Sequence, residues 1–417
     1  VMPRRVFSML CLIAVSPTIS AQNYLPPVEL AVEAIAQQAE VLAADERAAA
    51  VDAEARALSR GSYELEATLI PQRRRTDGGE GFDEFEAQVG RAFRLPGKAP
   101  LDREIGARSR AIAALERGEI AHEAALRLLE LWMQWLRATA TDAEAREQLQ
   151  SLQMEHASLK RRVEIGDAAE LDLQLITAEL AQARAAALTS ATLLSAATHA
   201  LNTDFPQIAL PARAPTLPEP QPLPHTADEW QARIIDDSYE LKSAEQEAAR
   251  QDATAKRAWA DRIPDPTLGV RFFSERDGQE RAVGLVFTMP LSSGYRRELA
   301  NAEHAQARAR LRDVEVIRRV LVKDAHLKVA VAADALNQWQ AQRDAHNAMR
   351  AAANRIQRAW ELGEIGLAER LLSARRAREM AYQELSARAA AHEAQLRVRI
   401  DAHDLWHPEH GRNEEDD

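Results

Sequence analysis

Two runs of helix-forming sequence, 102–165 and 295–362, set the outer dimensions of any fold this chain can adopt. The first contains no proline and is dense in Ala, Leu, Glu, Arg and Gln. Its Leu126, Leu129, Met133, Leu136, Ala140 and Ala143 fall at alternating steps of three and four, the spacing of a coiled-coil seam. At 1.5 Å per residue the two runs make rods of roughly 95 and 100 Å. An ordinary globular domain has no room for two such helices.

The rods belong to a tandem duplication. Glu164-Ile165-Gly166-Asp167 reappears 197 residues later as Glu361-Leu362-Gly363-Glu364. Each copy has an acid six places after its glycine, Asp172 and Glu369, and a leucine at nine, Leu175 and Leu372. The repeats span 22–204 and 225–407, each reading as a helix, two strands, a long helix, a glycine turn and a returning helix (167–203 and 367–405). Between them, 205–224 is rich in proline and reads as an extended connector. The acidic end, 408–417, reads as a tail.

The strands, about 63–73, 82–95, 266–275 and 281–290, alternate in character. Leu268, Val270 and Phe272 alternate with Thr267, Gly269 and Arg271, and Val283, Leu285 and Phe287 alternate with Gly284, Val286 and Thr288. A tight turn at Asp277-Gly278 sets Phe272 opposite Val283, Val270 opposite Leu285 and Leu268 opposite Phe287, so all three apolar pairs share one face. In the first repeat the apolar positions Leu65, Leu69, Phe85 and Val89 are all odd-numbered, which requires a loop of odd length. Segments of about ten residues, apolar on one side and polar on the other, suit strands of a membrane barrel; a soluble hairpin on a helical core is the competing reading. Arg91, on the lipid side, is tolerable near an interface. Four strands cannot close a useful barrel, so oligomerisation is expected, with three chains supplying twelve strands above a helical cylinder.

Composition narrows the function. With 53 Lys plus Arg against 64 Asp plus Glu, the net charge of −11 offers no basic excess for a nucleic acid. The single cysteine, Cys11, permits neither a disulfide framework nor a cysteine-based site. It lies within 1–21, where a basic start, an apolar run Val6 to Val15 and small residues near Ala21 read as a secretory signal peptide. That run is short of the roughly 20 residues a spanning helix needs. No later stretch is apolar enough either, so entry into a membrane must use strands.

Over nearly its whole mature length the sequence resembles the TolC-like outer-membrane factors of tripartite efflux systems. The resemblance rests on the duplicated halves, the strand pair from Pro266 to Gly294 ending in Met289-Pro290-Leu291-Ser292-Ser293-Gly294, and the two turns. Those turns read Gly166-Asp167-Ala168-Ala169-Glu170-Leu171-Asp172-Leu173 and Gly363-Glu364-Ile365-Gly366-Leu367-Ala368-Glu369-Arg370-Leu371-Leu372. It implies a mainly α homotrimer with a 12-stranded barrel in the outer membrane and a helical periplasmic tunnel. Such a trimer is a passive duct without cofactor. It docks to a periplasmic adaptor (membrane fusion protein) and, through it, to an inner-membrane pump of the resistance-nodulation-division type.

By the same resemblance, Gly166, Asp167, Gly363, Glu364 and Gly366 form the adaptor-docking turns, and Asp172 and Glu369 line the periplasmic gate. Leu372 stands where the family can have a second acid, and Ile365 where it can have a basic latch. Arg162, Arg358 and Arg370 are candidate substitutes, while Glu155 is expected to be a bystander. A compact chain without a lipid-anchor cysteine resembles the heavy-metal (cobalt-zinc-cadmium type) branch; drug-efflux and type I secretion ducts share the architecture. A periplasmic adaptor would have one hairpin flanked by β-rich domains, and a structural coiled coil would lack the strand pairs.

Other sites carry weaker signals. His403, His407 and His410 at helical spacing are weak metal candidates. Trp132 and Trp135 read as packing residues, and no catalytic constellation is visible.

Overall fold

The computed structural model describes residues 24–291 and 294–407. The leader with Cys11, Ser292, Ser293, His410 and the acidic tail lie outside them. In the first repeat the elements are α1 (Val28–Ala36), α2 (Ala39–Arg60), β1 (Leu65–Arg75), β2 (Gly81–Ala92), α3 (Lys98–Glu164) and α4 (Glu170–Asp204). The second has α5 (Ala227–Asp237), α6 (Tyr239–Ala260), β3 (Thr267–Glu275), β4 (Glu280–Thr288), α7 (Gly294–Glu361) and α8 (Leu367–Asp401).

The single helix expected before each strand pair is two helices, broken at matching places. The Gln38 backbone is extended there, and its side-chain amide donates to the carbonyls of Ala34 and Asp204. In the second repeat Ser238 ends α5 and caps α6, accepting from the Leu241 N–H at 3.2 Å. The final helix also stops short of 405. His403 takes a left-handed φ of 53°, its N–H bonds the Ile400 carbonyl, and the Asp404 N–H bonds that of Arg399, a Schellman ending.

All four strands form one antiparallel sheet in the order β1-β2-β3-β4, so the two repeats join edge to edge through β2 and β3. Leu69, Ala87, Phe272 and Val283 share one row; Ala67, Val89, Val270 and Leu285 share the next; Leu65, Arg91, Leu268 and Phe287 lie nearest the helices. The apolar face therefore runs unbroken across both repeats, and Leu285 is 91% exposed on it. The reverse face carries Thr68, Gln88, Glu86 and Arg271, with an Arg271–Glu86 ion pair at 3.5 Å. At the seam between repeats the backbones nearly touch: a Cβ on Gly269 would sit 2.8 Å from the Val89 carbonyl oxygen. A five-residue loop joins β1 to β2, odd as the apolar positions require, and a 3₁₀ turn at Arg276–Gly278 joins β3 to β4. β1 and β4 are the edges of this sheet.

Beneath the sheet, a buried ionic neck ties the repeats together. The Lys98 ammonium donates to Asp265 at 2.8 Å and to the Ile263 carbonyl at 2.8 Å, and pairs with Asp261 at 2.9 Å. Asp102 joins Arg94 at 3.1 Å and Arg257 at 2.6 Å. Tyr63, placed before β1 rather than in it, donates its hydroxyl to Asp265 at 2.7 Å. Burial opposes ionisation of Asp265, yet Lys98, the Leu95 N–H and Tyr63 together hold its carboxyl below the usual range.

Further down, α3 is buried over a broad arc rather than along a narrow seam. Leu128, Leu129, Trp132, Met133, Trp135 and Leu136 pack with α1, α8 and the connector. Past that belt the seam drifts. Ala143 is exposed while Asp142 is buried, held by the Ser190 hydroxyl at 3.2 Å and Arg146 at 2.7 Å. The connector at 205–224 has no helix or strand and lies along α8, where Arg388, His392 and Gln395 meet the carbonyls of Leu217, Pro218 and Gln221. No described helix is long and apolar enough to cross a membrane.

Candidate functional site

The far ends of the hairpins α3/α4 and α7/α8 hold most of the residues singled out for function. Both reversals are Schellman motifs. The Gly166 N–H bonds the Val163 carbonyl at 3.0 Å and the Asp167 N–H that of Arg162 at 2.8 Å; Gly363 bonds Trp360 and Glu364 bonds Ala359, each at 2.9 Å. Gly166 and Gly363 have φ of 77° and 78°, and a Cβ would meet nothing within 4 Å, so the requirement for glycine is conformational. Gly366 is the N-cap of α8. Ile165 and Leu362, just before the glycines, are exposed apolar residues.

Asp172 and Glu369 occupy the same place in their repeats, the third residue of the returning helix. The positive end of the helix dipole favours acids there. Asp172 is half-buried, Glu369 is exposed, and no hydrogen bond or ion pair among the described residues engages either side chain.

Of the three candidate latch arginines, geometry distinguishes one. Arg162 bonds Asp167 within its own turn at 2.8 Å, and Arg358 pairs with Glu361 one helical turn away at 3.1 Å. Arg370 instead leaves α8, lies over the Trp360 ring at 4.5 Å and forms an ion pair with Glu155 of α3, joining the two hairpins. Glu155 is thus no bystander. Burial pushes its carboxyl above the usual range, with the Arg370 charge pulling it back. A second cross-hairpin pair joins Arg375 of α8 to buried Glu179 of α4. Leu367 and Leu371 pack beside them against Leu152, Leu159, Ile176 and Leu180. Neither Glu155 nor Glu179 has a local signature, because each partner is about 200 residues away in the chain.

The weak metal candidates do not gather into a site. With α8 ended at Asp401, His403 and His407 are not on a helix, and their rings stack 4.5 Å apart instead of converging. His407 Nε2 lies 2.9 Å from the Tyr239 hydroxyl. No group of three potential ligands gathers among the described residues. His403 is lowered to about 4 by burial and by the neighbouring His407 and His122.

No protein-family model and no curated protein matches the chain. Solved structures do. CusC, studied for conformational changes accompanying folding and transmembrane channel formation, superposes with a TM-score of 0.75 at 13% identity, over 90% of this chain and 91% of its own. The Campylobacter jejuni CmeC outer membrane channel gives 0.74 at 10% identity, over 97% and 94%. The open state of the Neisseria gonorrhoeae MtrE outer membrane channel gives 0.66 at 17%, over 91% and 87%. The chain therefore has the fold of outer-membrane channel proteins. Within that class its arrangement is a four-stranded antiparallel sheet continuing into paired long helices.

Proposed function

We propose that the protein is the outer-membrane duct of a tripartite efflux system. Three copies would close their sheets into a 12-stranded barrel, and their helices would form a periplasmic tunnel. The observation that carries this reading is the apolar face shared by all four strands, on a sheet whose edges β1 and β4 have no neighbouring strand among the described residues. Such a face and such edges are satisfied together by lipid and by further strands. The mature chain should fractionate with outer membranes and run as a detergent-stable trimer. Leu285→Arg, near the middle of the apolar face, should cost roughly 2–4 kcal/mol in each chain and reduce assembly. A soluble periplasmic monomer overturns the proposal.

At the other end, the turns at Gly166 and Gly363 dock a periplasmic adaptor, which links the duct to a resistance-nodulation-division pump. Asp172 and Glu369, repeated three times, form an acidic constriction that favours cations. Metal cations are the inferred cargo. Deleting the gene should then sensitise cells to metal salts; sensitivity to drugs alone assigns the duct to drug export. In planar bilayers, Glu369→Ala should raise conductance and reduce block by multivalent cations, while Glu130→Ala, on the middle of α3, should change neither.

A further inference from the structure

The two faces of the sheet segregate charge as well as polarity. On the face bearing Leu65 and Leu285, Asp83 is the one acid within the four strands, whereas Glu66, Glu84, Glu86, Glu275 and Glu280 all lie on the reverse face. The arginines on the apolar face are not scattered. Arg91 is in the row nearest the helices, and the other three lie past the last apolar positions, toward the turns. Along β1, Leu65, Ala67 and Leu69 are followed by Pro71, Arg73 and Arg75; along β4, Arg281 lies just beyond Val283, in the row of Phe85 and Ser274. Arg73 and Asp83 approach at 3.5 Å but remain 68% and 76% exposed, so Arg73 is only loosely engaged.

We infer that Arg73, Arg75 and Arg281 form a binding belt for the phosphate groups of an outer-leaflet glycolipid. This rests on the outer-membrane reading above, which puts the turn end of the sheet at the external leaflet. Three features select that occupant. The apolar rows continue directly into the arginines, as acyl chains continue into a phosphorylated headgroup. Guanidinium groups bind phosphate in a bidentate manner, and exposed arginines on a flat face admit a headgroup from the side. The arginines also stand on the two edge strands, so every junction between copies would bring Arg281 of one chain to the same belt as Arg73 and Arg75 of the next.

The test uses the full-length trimer purified in detergent, with bound lipid counted by native mass spectrometry and trimer melting followed in parallel. Bisphosphorylated lipid A should bind and raise the melting temperature, and its dephosphorylated form should bind at least about tenfold more weakly. At about 1 kcal/mol for each arginine facing an anionic surface, each substitution should weaken binding about fivefold. The triple variant R73Q/R75Q/R281Q should therefore lose most of it, and R91Q at the opposite end should keep it. Equal binding of the dephosphorylated lipid, or undiminished binding by the triple variant, overturns the inference. So does inorganic phosphate that stabilises the wild type as strongly as lipid A. If the triple variant fails to assemble, the two lipid forms on wild-type trimer still decide. Failure of the wild type to form a trimer would count against the duct itself, a result distinct from a trimer indifferent to phosphate.

Discussion

At the neck, charges are buried in an interlocking set: Lys98 meets Asp261, Asp265 and a carbonyl, and Asp102 meets two arginines. At the tip, the hairpins are joined by the single pair Arg370–Glu155 and by Glu179, which faces Arg375 and Arg378, over a small apolar cluster. A charge with several partners at once cannot leave one of them cheaply, because the others remain buried and uncompensated. Glu155, partly exposed and with one ionic partner, is less constrained. The neck is built to hold one geometry, and Arg370–Glu155 is the link at the tip most readily given up.

The most severe test of this contrast is Asp102→Ala, which removes the buried carboxylate shared by Arg94 and Arg257. It should destabilise by about 3–5 kcal/mol, read as a lower melting temperature of the helical signal. Arg370→Ala should cost less, about 1–3 kcal/mol, but should open the tip and raise single-channel conductance, which the neck variant should not do. A double-mutant cycle with Glu155→Gln should return a coupling of about 0.5–3 kcal/mol; additive effects would show the bridge to be idle. Gly363→Pro should leave trimer stability almost unchanged while weakening adaptor cross-linking, since proline cannot adopt the positive φ or supply the N–H to Trp360. Unchanged cross-linking would place docking elsewhere.

The smallest effects come from titration. Because burial raises the carboxyl of Glu155 above its unfolded value, acidification protonates it in the folded protein first, and conductance through a closed tip should begin to rise above the ordinary glutamate range. His403, just past the end of α8, faces His122, His407 and Tyr239 and lines a pocket with Asp401. The folded state favours its neutral form, so the unfolded chain binds more protons between about 4 and 6.5. Stability should fall as pH drops through that window, and His403→Gln should flatten the slope.

Periodic features were legible in the sequence and long-range ones were not. Rod length, strand alternation, the odd loop before Phe85 and the pairing of Phe272 with Val283 all follow from local spacing. Trp132 and Trp135 pack in the core, as their position on the long helix suggested. The breaks at Gln38 and Ser238 were missed because each is set by side-chain bonds that helix propensity does not encode. The neck was missed because Lys98 and Asp265, 167 positions apart, are ordinary surface residues by type. Glu155 was misread for the same reason, and the end of α8 because a left-handed histidine replaces the usual glycine.

The seam between β2 and β3 has one more implication. Within the chain it joins the second strand of one repeat to the first strand of the other, the same kind of junction that β4 and the next chain's β1 would make. The proposed ring of three chains would then be six near-equivalent units in which alternate junctions are covalently tethered. Fusion of two units frees them to diverge. The two tips have done so, one following its glycine with Asp167-Ala168-Ala169 and the other with Glu364-Ile365-Gly366. A partner reading the ring from below would meet two alternating kinds of site, three of each, and could bind in a ratio of one or two per chain depending on which it prefers.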